Sequence, residues 1–181
     1  RHGTPVPNSL SRAASKSRRT TLTTSPRRSL MSSTTLHPPT STDEAEILAL
    51  GGALHTAHLN KDPEGIAAPY APHAVIYDLE PPLVHDGISV ERKRKWLTTW
   101  ESPIDLTAQG FKVTVSGDYA YGHGYLRMSG QKKGVDHPVS FWMRATMIFE
   151  RVEGKWRIVH EHTSVPFYMD DSLRPAFDLQ P

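Results

Sequence analysis

Between residues 41 and 60 apolar positions recur at helical spacing. Ile47, Leu48, Leu50, Leu54, Ala57, His58 and Leu59 gather on one side, despite Gly51 and Gly52 in the middle. The cluster Ser41-Thr42-Asp43-Glu44 places cap-forming and acidic residues ahead of them, which predicts a helix from there to about Asn60. A short second helix fits Pro63 to Tyr70, with proline in its first turn. Ala74 to Asp78 reads as a strand, followed by a loop through Pro81 and Pro82 and a turn at Asp86-Gly87. A third helix, Ile88 to about Glu101, sets Arg92, Trp96 and Trp100 four residues apart on one side.

After that the period changes to two. Alternation predicts strands at about Ile104 to Val115, Tyr119 to Met128, Val139 to Arg151 and Lys155 to Pro166, with turns at Ser116-Gly117-Asp118, Gly130 to Gly134 and Glu153-Gly154. Connections this short join antiparallel neighbours. Helices followed by a meander give an α+β domain, with about three N-terminal helices over one face of a curved antiparallel sheet.

Composition divides the chain. Residues 1–41 hold seven of the 21 Lys and Arg and none of the 19 Asp and Glu, and they are rich in Ser, Thr and Pro without an apolar period. They are expected to form a disordered basic tail ahead of a domain at 42–168, with a C-terminal tail at 169–181. The remainder carries a net −5, which argues against a phosphate-gripping nucleic-acid surface. An Arg- and Ser-rich leader is also compatible with an organelle transit peptide over residues 1–30; the simpler expectation is that Met31 is the true start and the location cytoplasmic. With no Cys, disulfides, thiolate nucleophiles and Cys-built zinc sites are excluded. No apolar run approaches the ~20 residues needed for a membrane-spanning helix.

Two stretches carry a family resemblance. Tyr70-Ala71-Pro72-His73-Ala74-Val75-Ile76-Tyr77-Asp78, followed by Asp86-Gly87 opening a helix, and the closing Glu153-Gly154-Lys155-Trp156-Arg157-Ile158-Val159-His160-Glu161-His162-Thr163-Ser164 resemble the nuclear transport factor 2-like superfamily. The likeness is to its SnoaL-like and ketosteroid-isomerase-like branch, and the last stretch is also similar to the association domain of calcium/calmodulin-dependent kinases. The resemblance implies a cone-shaped barrel enclosing a mostly apolar cavity, usually in a homodimer joined through the sheet. It does not imply one chemistry, because isomerases, dehydratases, cyclases and association modules share the fold.

Asp78 falls where ketosteroid isomerases carry their proton-shuttling carboxylate. At a strand end facing an apolar cavity, lost hydration would raise its pKa and make it a general base; the alternative is a loop-capping or salt-bridged carboxylate. The enolate-holding donors of such isomerases correspond to Leu54 and about Ala145, so steroid isomerisation is not expected. Tyr121, His123, Tyr125 and Arg127 share one strand face, either as pocket donors that favour an anionic or carbonyl-bearing ligand or as a solvated outer face. His160 and His162 also share a face, but two His without a third ligand do not make a metal site, so no metal is expected. Alternation leaves two assignments for the last strand: Trp156, Ile158, His160, His162 and Ser164 inward, or Arg157, Val159, Glu161 and Thr163. Tyr77, Trp96, Trp100, Met143, Met147, Phe149 and whichever of His160, Glu161 and His162 face in complete the expected lining.

No G-x-G-x-x-G, P-loop or nucleophile elbow occurs, so cofactor-dependent and acyl-enzyme chemistry is not expected. These features, with the homodimer that the resemblance implies, lead to the expectation of a cofactor-free protein that binds a small, partly apolar ligand. If it is an enzyme, it is expected to be an isomerase, cyclase or dehydratase, with Asp78 as base and His123, Tyr125 and Arg127 as polarising donors. The alternative is a non-catalytic ligand-binding or association module.

Overall fold

The computed structural model describes residues 41–181, so the expectations for the basic tail and its targeting lie outside the described residues. Helix α1 spans Ser41–Leu59, α2 Pro63–Ala67 and α3 Val90–Leu97; the strands are β1 Tyr70–Tyr77, β2 His85–Asp86, β3 Asp105–Ser116, β4 Tyr119–Gly130, β5 Val139–Val152 and β6 Lys155–Ser164. The α+β reading holds at this level, with α1 close to its expected bounds and α2 and α3 shorter than the pattern predicts. Tyr70 opens a strand rather than ending a helix, and the two-residue β2 has too few positions to show a period.

One six-stranded sheet has the order β2-β1-β6-β5-β4-β3. The meander β3 to β6 is antiparallel as expected, but β1 runs parallel to β6, which corrects the purely antiparallel expectation. Helix-containing connections between β1 and the meander permit that parallel pairing. Ile47 and Leu54 of α1, Ile66 of α2 and Leu97 of α3 pack in one core with Phe149, Trp156 and Ile158 of the sheet.

Capping fixes the helices. Asp62 accepts from the Gly65 amide at 3.0 Å at the start of α2, and Ser89 accepts from the Arg92 amide at 3.1 Å at the start of α3. Asp43 in the first turn of α1 binds the Arg151 guanidinium and accepts from the Trp156 indole at 3.2 Å, tying the helix to the end of the sheet.

Two bulges decide what faces in. In β6, Phe149 pairs with Ile158 and Ile148 with His160, so Val159 is an inserted residue. The insertion flips the alternation: Trp156 and Ile158 point into the core before it, and Glu161 and Thr163 line a cavity after it. Each of the two sequence assignments is therefore correct for half the strand. In β3, Gly110 at φ +62° and Phe111 together face the single Gly124. The Phe111 ring is turned over Gly122, while its backbone approaches Gly124; an added Cβ would lie 2.5 Å from ring carbon Cε1 or 2.7 Å from Phe111 Cα, respectively.

The expected C-terminal tail folds back on the domain. Ala176 is buried and donates its amide to Pro166 O at 2.8 Å, and the Phe177 ring packs 4.7 Å from that of Phe141.

Candidate functional site

A chamber of about 130 Å³ lies between the helices and the inner face of the sheet. Its apolar wall includes Leu54, Ile66, Trp96, Leu106, Leu126, Met128, Met143 and Met147. Its polar groups are His58, Tyr70, Asp78, Glu80, Lys93, Glu161 and Thr163. An engineered apolar cavity of about 150 Å³ takes up benzene, so the chamber has room for about one ring. A second, apolar lobe of about 240 Å³ adjoins it between α1 and β3 and shares Leu54, Leu106, Leu126 and Met147.

Ser89 sets the phase of α3 so that Lys93, one turn in, reaches back to the end of β1. Its Nζ donates to Asp78 Oδ2 at 3.1 Å and lies 5.5 Å from the Trp96 ring centroid. Asp78 Oδ1 accepts from the Leu79 amide at 2.7 Å. Burial alone would raise the Asp78 pKa, but the Lys93 charge and hydrogen bond, the Leu79 amide and His85 outweigh it and hold the carboxyl below its usual range. The expected raised-pKa base is thereby corrected: the salt-bridged alternative describes Asp78.

Glu161 goes the other way. Burial pushes its carboxyl up and the Asp78 charge adds to this; the hydrogen bond donated by the Tyr70 hydroxyl to Oε2 and the Lys93 charge oppose the rise without cancelling it. Burial and the same carboxylate hold the Tyr70 phenol well above its ordinary value, so it remains a donor. His58 is buried with its ring 6.0 Å from that of Trp96. Burial lowers its pKa to about 4, and in its neutral form Nδ1–H donates to Leu54 O at 2.7 Å, which leaves Nε2 as the ring acceptor. Thr163 is 6% exposed and its Oγ1 has no hydrogen-bond partner.

A SnoaL-like domain matches residues 47–168. The chain belongs to the SnoaL-like family. This SnoaL-like chain is similar to a nuclear transport factor 2-like protein of unknown function from Pseudomonas putida, at 29% identity over 78% of this chain and 99% of the other, with a TM-score of 0.69. It shares its fold with a candidate calcium/calmodulin-dependent protein kinase II association domain from Xanthomonas campestris (22% identity, 66% and 84% of the two chains, TM-score 0.57). A candidate dehydratase of the same superfamily from Streptomyces avermitilis has 18% identity, coverage of 68% and 95%, and a TM-score of 0.58. No curated protein matches the chain.

Against this SnoaL-like frame the expected residues separate clearly. Asp78, Trp96, Met143, Met147 and Glu161 line the chamber, and Phe149 lines the apolar lobe. Tyr121, His123, Tyr125 and Arg127 do not: all four are exposed on the outer face, with Arg127 Nε donating to Ser140 Oγ at 3.1 Å. The opposite face of β4 is the inner one because its glycines admit Phe111 and its Leu126 and Met128 reach the chamber. His160 and His162 also turn outward, where the Tyr77 ring meets them edge-on at 5.0 and 5.7 Å, so none of the three lines the chamber. Trp100 is buried in the core instead, paired through its backbone with Lys132. Among the described residues no three His, Cys, Asp or Glu side chains gather at metal-binding spacing, and no helix is long and apolar enough to cross a membrane.

Tyr70, Lys93 and His58 are the site residues sequence reasoning missed. Lys93 lies three before Trp96 and four before Leu97, the spacing of one helix face, and that was the available signal.

Proposed function

We propose that this SnoaL-like protein binds a small carbonyl compound and moves a proton next to its carbonyl, as an isomerase or dehydratase must. The observation that carries the reading is the pair of carboxylates on one chamber whose pKa values are displaced in opposite directions: Asp78 down, Glu161 up. A carboxylate with a raised pKa is the better proton acceptor, while one held by an ammonium stays charged. Glu161 Oε1 removes the proton α to the carbonyl, and the electron pair moves to the carbonyl oxygen. The Lys93 ammonium, oriented by Asp78, stabilises the resulting enolate. Reprotonation by the Glu161 carboxylic acid at the same or a conjugated carbon completes the reaction.

The test is hydrogen–deuterium exchange into cyclohexanone, a ketone of one ring, in heavy water, followed by mass spectrometry. Wild type is expected to accelerate exchange, and Glu161→Gln to remove roughly 100-fold or more of that acceleration. Unchanged exchange in the variant would exclude the assignment.

A second reading concerns the outer face. Tyr119, Tyr121, Tyr125 and Ile148 stand exposed there beside His123, an aromatic enrichment typical of interfaces. We infer that a homodimer forms through this face. Analytical ultracentrifugation of wild type and Tyr121→Glu/Ile148→Glu tests it, with a monomer expected only for the variant.

A further inference from the structure

The apolar lobe has a feature that packing does not account for. Gly51 and Gly52 sit in the interior of α1, where glycine weakens a helix relative to alanine, and both line the lobe. A Cβ added at either would meet nothing within 4 Å, and both residues are exposed. No close approach therefore excludes a side chain; instead the glycines keep a gap clear between α1 and the exposed Thr107 and Ala108 of β3.

Behind the gap, Leu54, Leu106, Leu126 and Met147 border both the lobe and the polar chamber. Methionine, unbranched and with three rotatable side-chain bonds, adapts its shape readily, so Met147 is the point at which this shared wall yields to a ligand crossing it. On the chamber side the Thr163 hydroxyl, more than nine-tenths buried, has no partner of its own. A buried hydroxyl without a partner is costly, and a ligand oxygen would satisfy it.

We propose that one elongated, amphipathic ligand spans both spaces, its carbonyl end hydrogen-bonded by Thr163 in the chamber and its apolar tail leaving through the gap beside Gly51 and Gly52. The assignment rests on the proposed carbonyl site for the placement of the head and adds the tail, hence the substrate class: a carbonyl compound with an extended alkyl or alicyclic chain.

Isothermal titration of the full chain with 2-hexanone, 2-octanone and 2-decanone tests it. Burial of each methylene is expected to tighten wild-type binding by up to about fourfold. Gly51→Leu/Gly52→Leu fills the gap and is expected to keep the affinity for 2-hexanone while losing the gain with length. Gly51→Ala/Gly52→Ala, which only firms the helix, retains the gain and controls for folding. Thr163→Val is expected to weaken all three ketones by the same factor, about three- to tenfold. A wild-type affinity independent of length, or a gain that survives the leucine variant, overturns the proposal. If cyclohexanone shows no exchange but the length dependence is found, proton transfer falls and the tail site stands; exchange without length dependence removes the tail site and leaves proton transfer in place.

Discussion

Lys93 Nζ lies 3.1 Å from Asp78 Oδ2, joining the third helix to the end of the first strand inside the chamber. Both side chains are less than a quarter exposed, so removing one leaves the other charged and poorly hydrated. Lys93→Met is expected to raise the Asp78 pKa and to destabilise the fold by about 2–4 kcal/mol, while Lys93→Met/Asp78→Asn recovers part of the loss. Urea denaturation of the single and double variants measures the coupling.

Tyr70→Phe removes the hydrogen bond that restrains the Glu161 carboxyl. The Glu161 pKa is expected to climb further, and the pH at which proton exchange reaches half its plateau should climb with it. Carbon-13 NMR of labelled glutamate follows the titration directly. An unmoved titration would mean that the phenol does not govern this carboxyl.

His58 gives the domain an acid-sensitive stability. Its pKa is 6.5 when unfolded and about 4 when folded, so the unfolded chain takes up the proton first. The stabilising contribution is complete above 6.5 and is lost as the pH falls through about 4, to a total of roughly 3 kcal/mol. Asp78 contributes with the same sign at lower pH, because its folded pKa is also depressed. Unfolding free energies across this window should slope less steeply in His58→Phe than in wild type.

Gly122 and Gly124 meet Phe111 differently. The Cβ of Gly122→Ala would strike the ring edge, which can move, whereas that of Gly124→Ala would strike the Phe111 backbone. Both changes are expected to cost about 1–3 kcal/mol by overpacking. Trimming the ring with Phe111→Leu should rescue Gly122→Ala and leave Gly124→Ala unrescued, as read from thermal midpoints.

The meander and the α+β class were legible because alternation and turn residues are local signals. Trp96, Met143 and Met147 could be placed at the cavity for the same reason. What escaped depends on features that carry no local mark. Val159 reads as an ordinary alternating residue, yet its insertion turns Glu161 inward and both histidines out. Tyr121, His123, Tyr125 and Arg127 look like a pocket only until Phe111, on the neighbouring strand, is known to cover the glycine face. Lys93 sits in the run Glu91-Arg92-Lys93-Arg94-Lys95, which reads as a solvated helix surface.

The parallel pairing of β1 with β6 bears on how the protein acquires its site. Tyr70 and Glu161 stand 91 residues apart, and the strands carrying them, neighbours in the sheet, are the first and the last along the chain. Pairings that close so long a loop lose much chain entropy before they gain contacts, so they are expected to form late in folding. The meander can assemble from near neighbours, but the polar chamber awaits the docking of the N-terminal half. A nascent or partly unfolded chain is therefore expected to lack the assembled chamber, and a ligand of that chamber would stabilise the protein by selecting the fully assembled state.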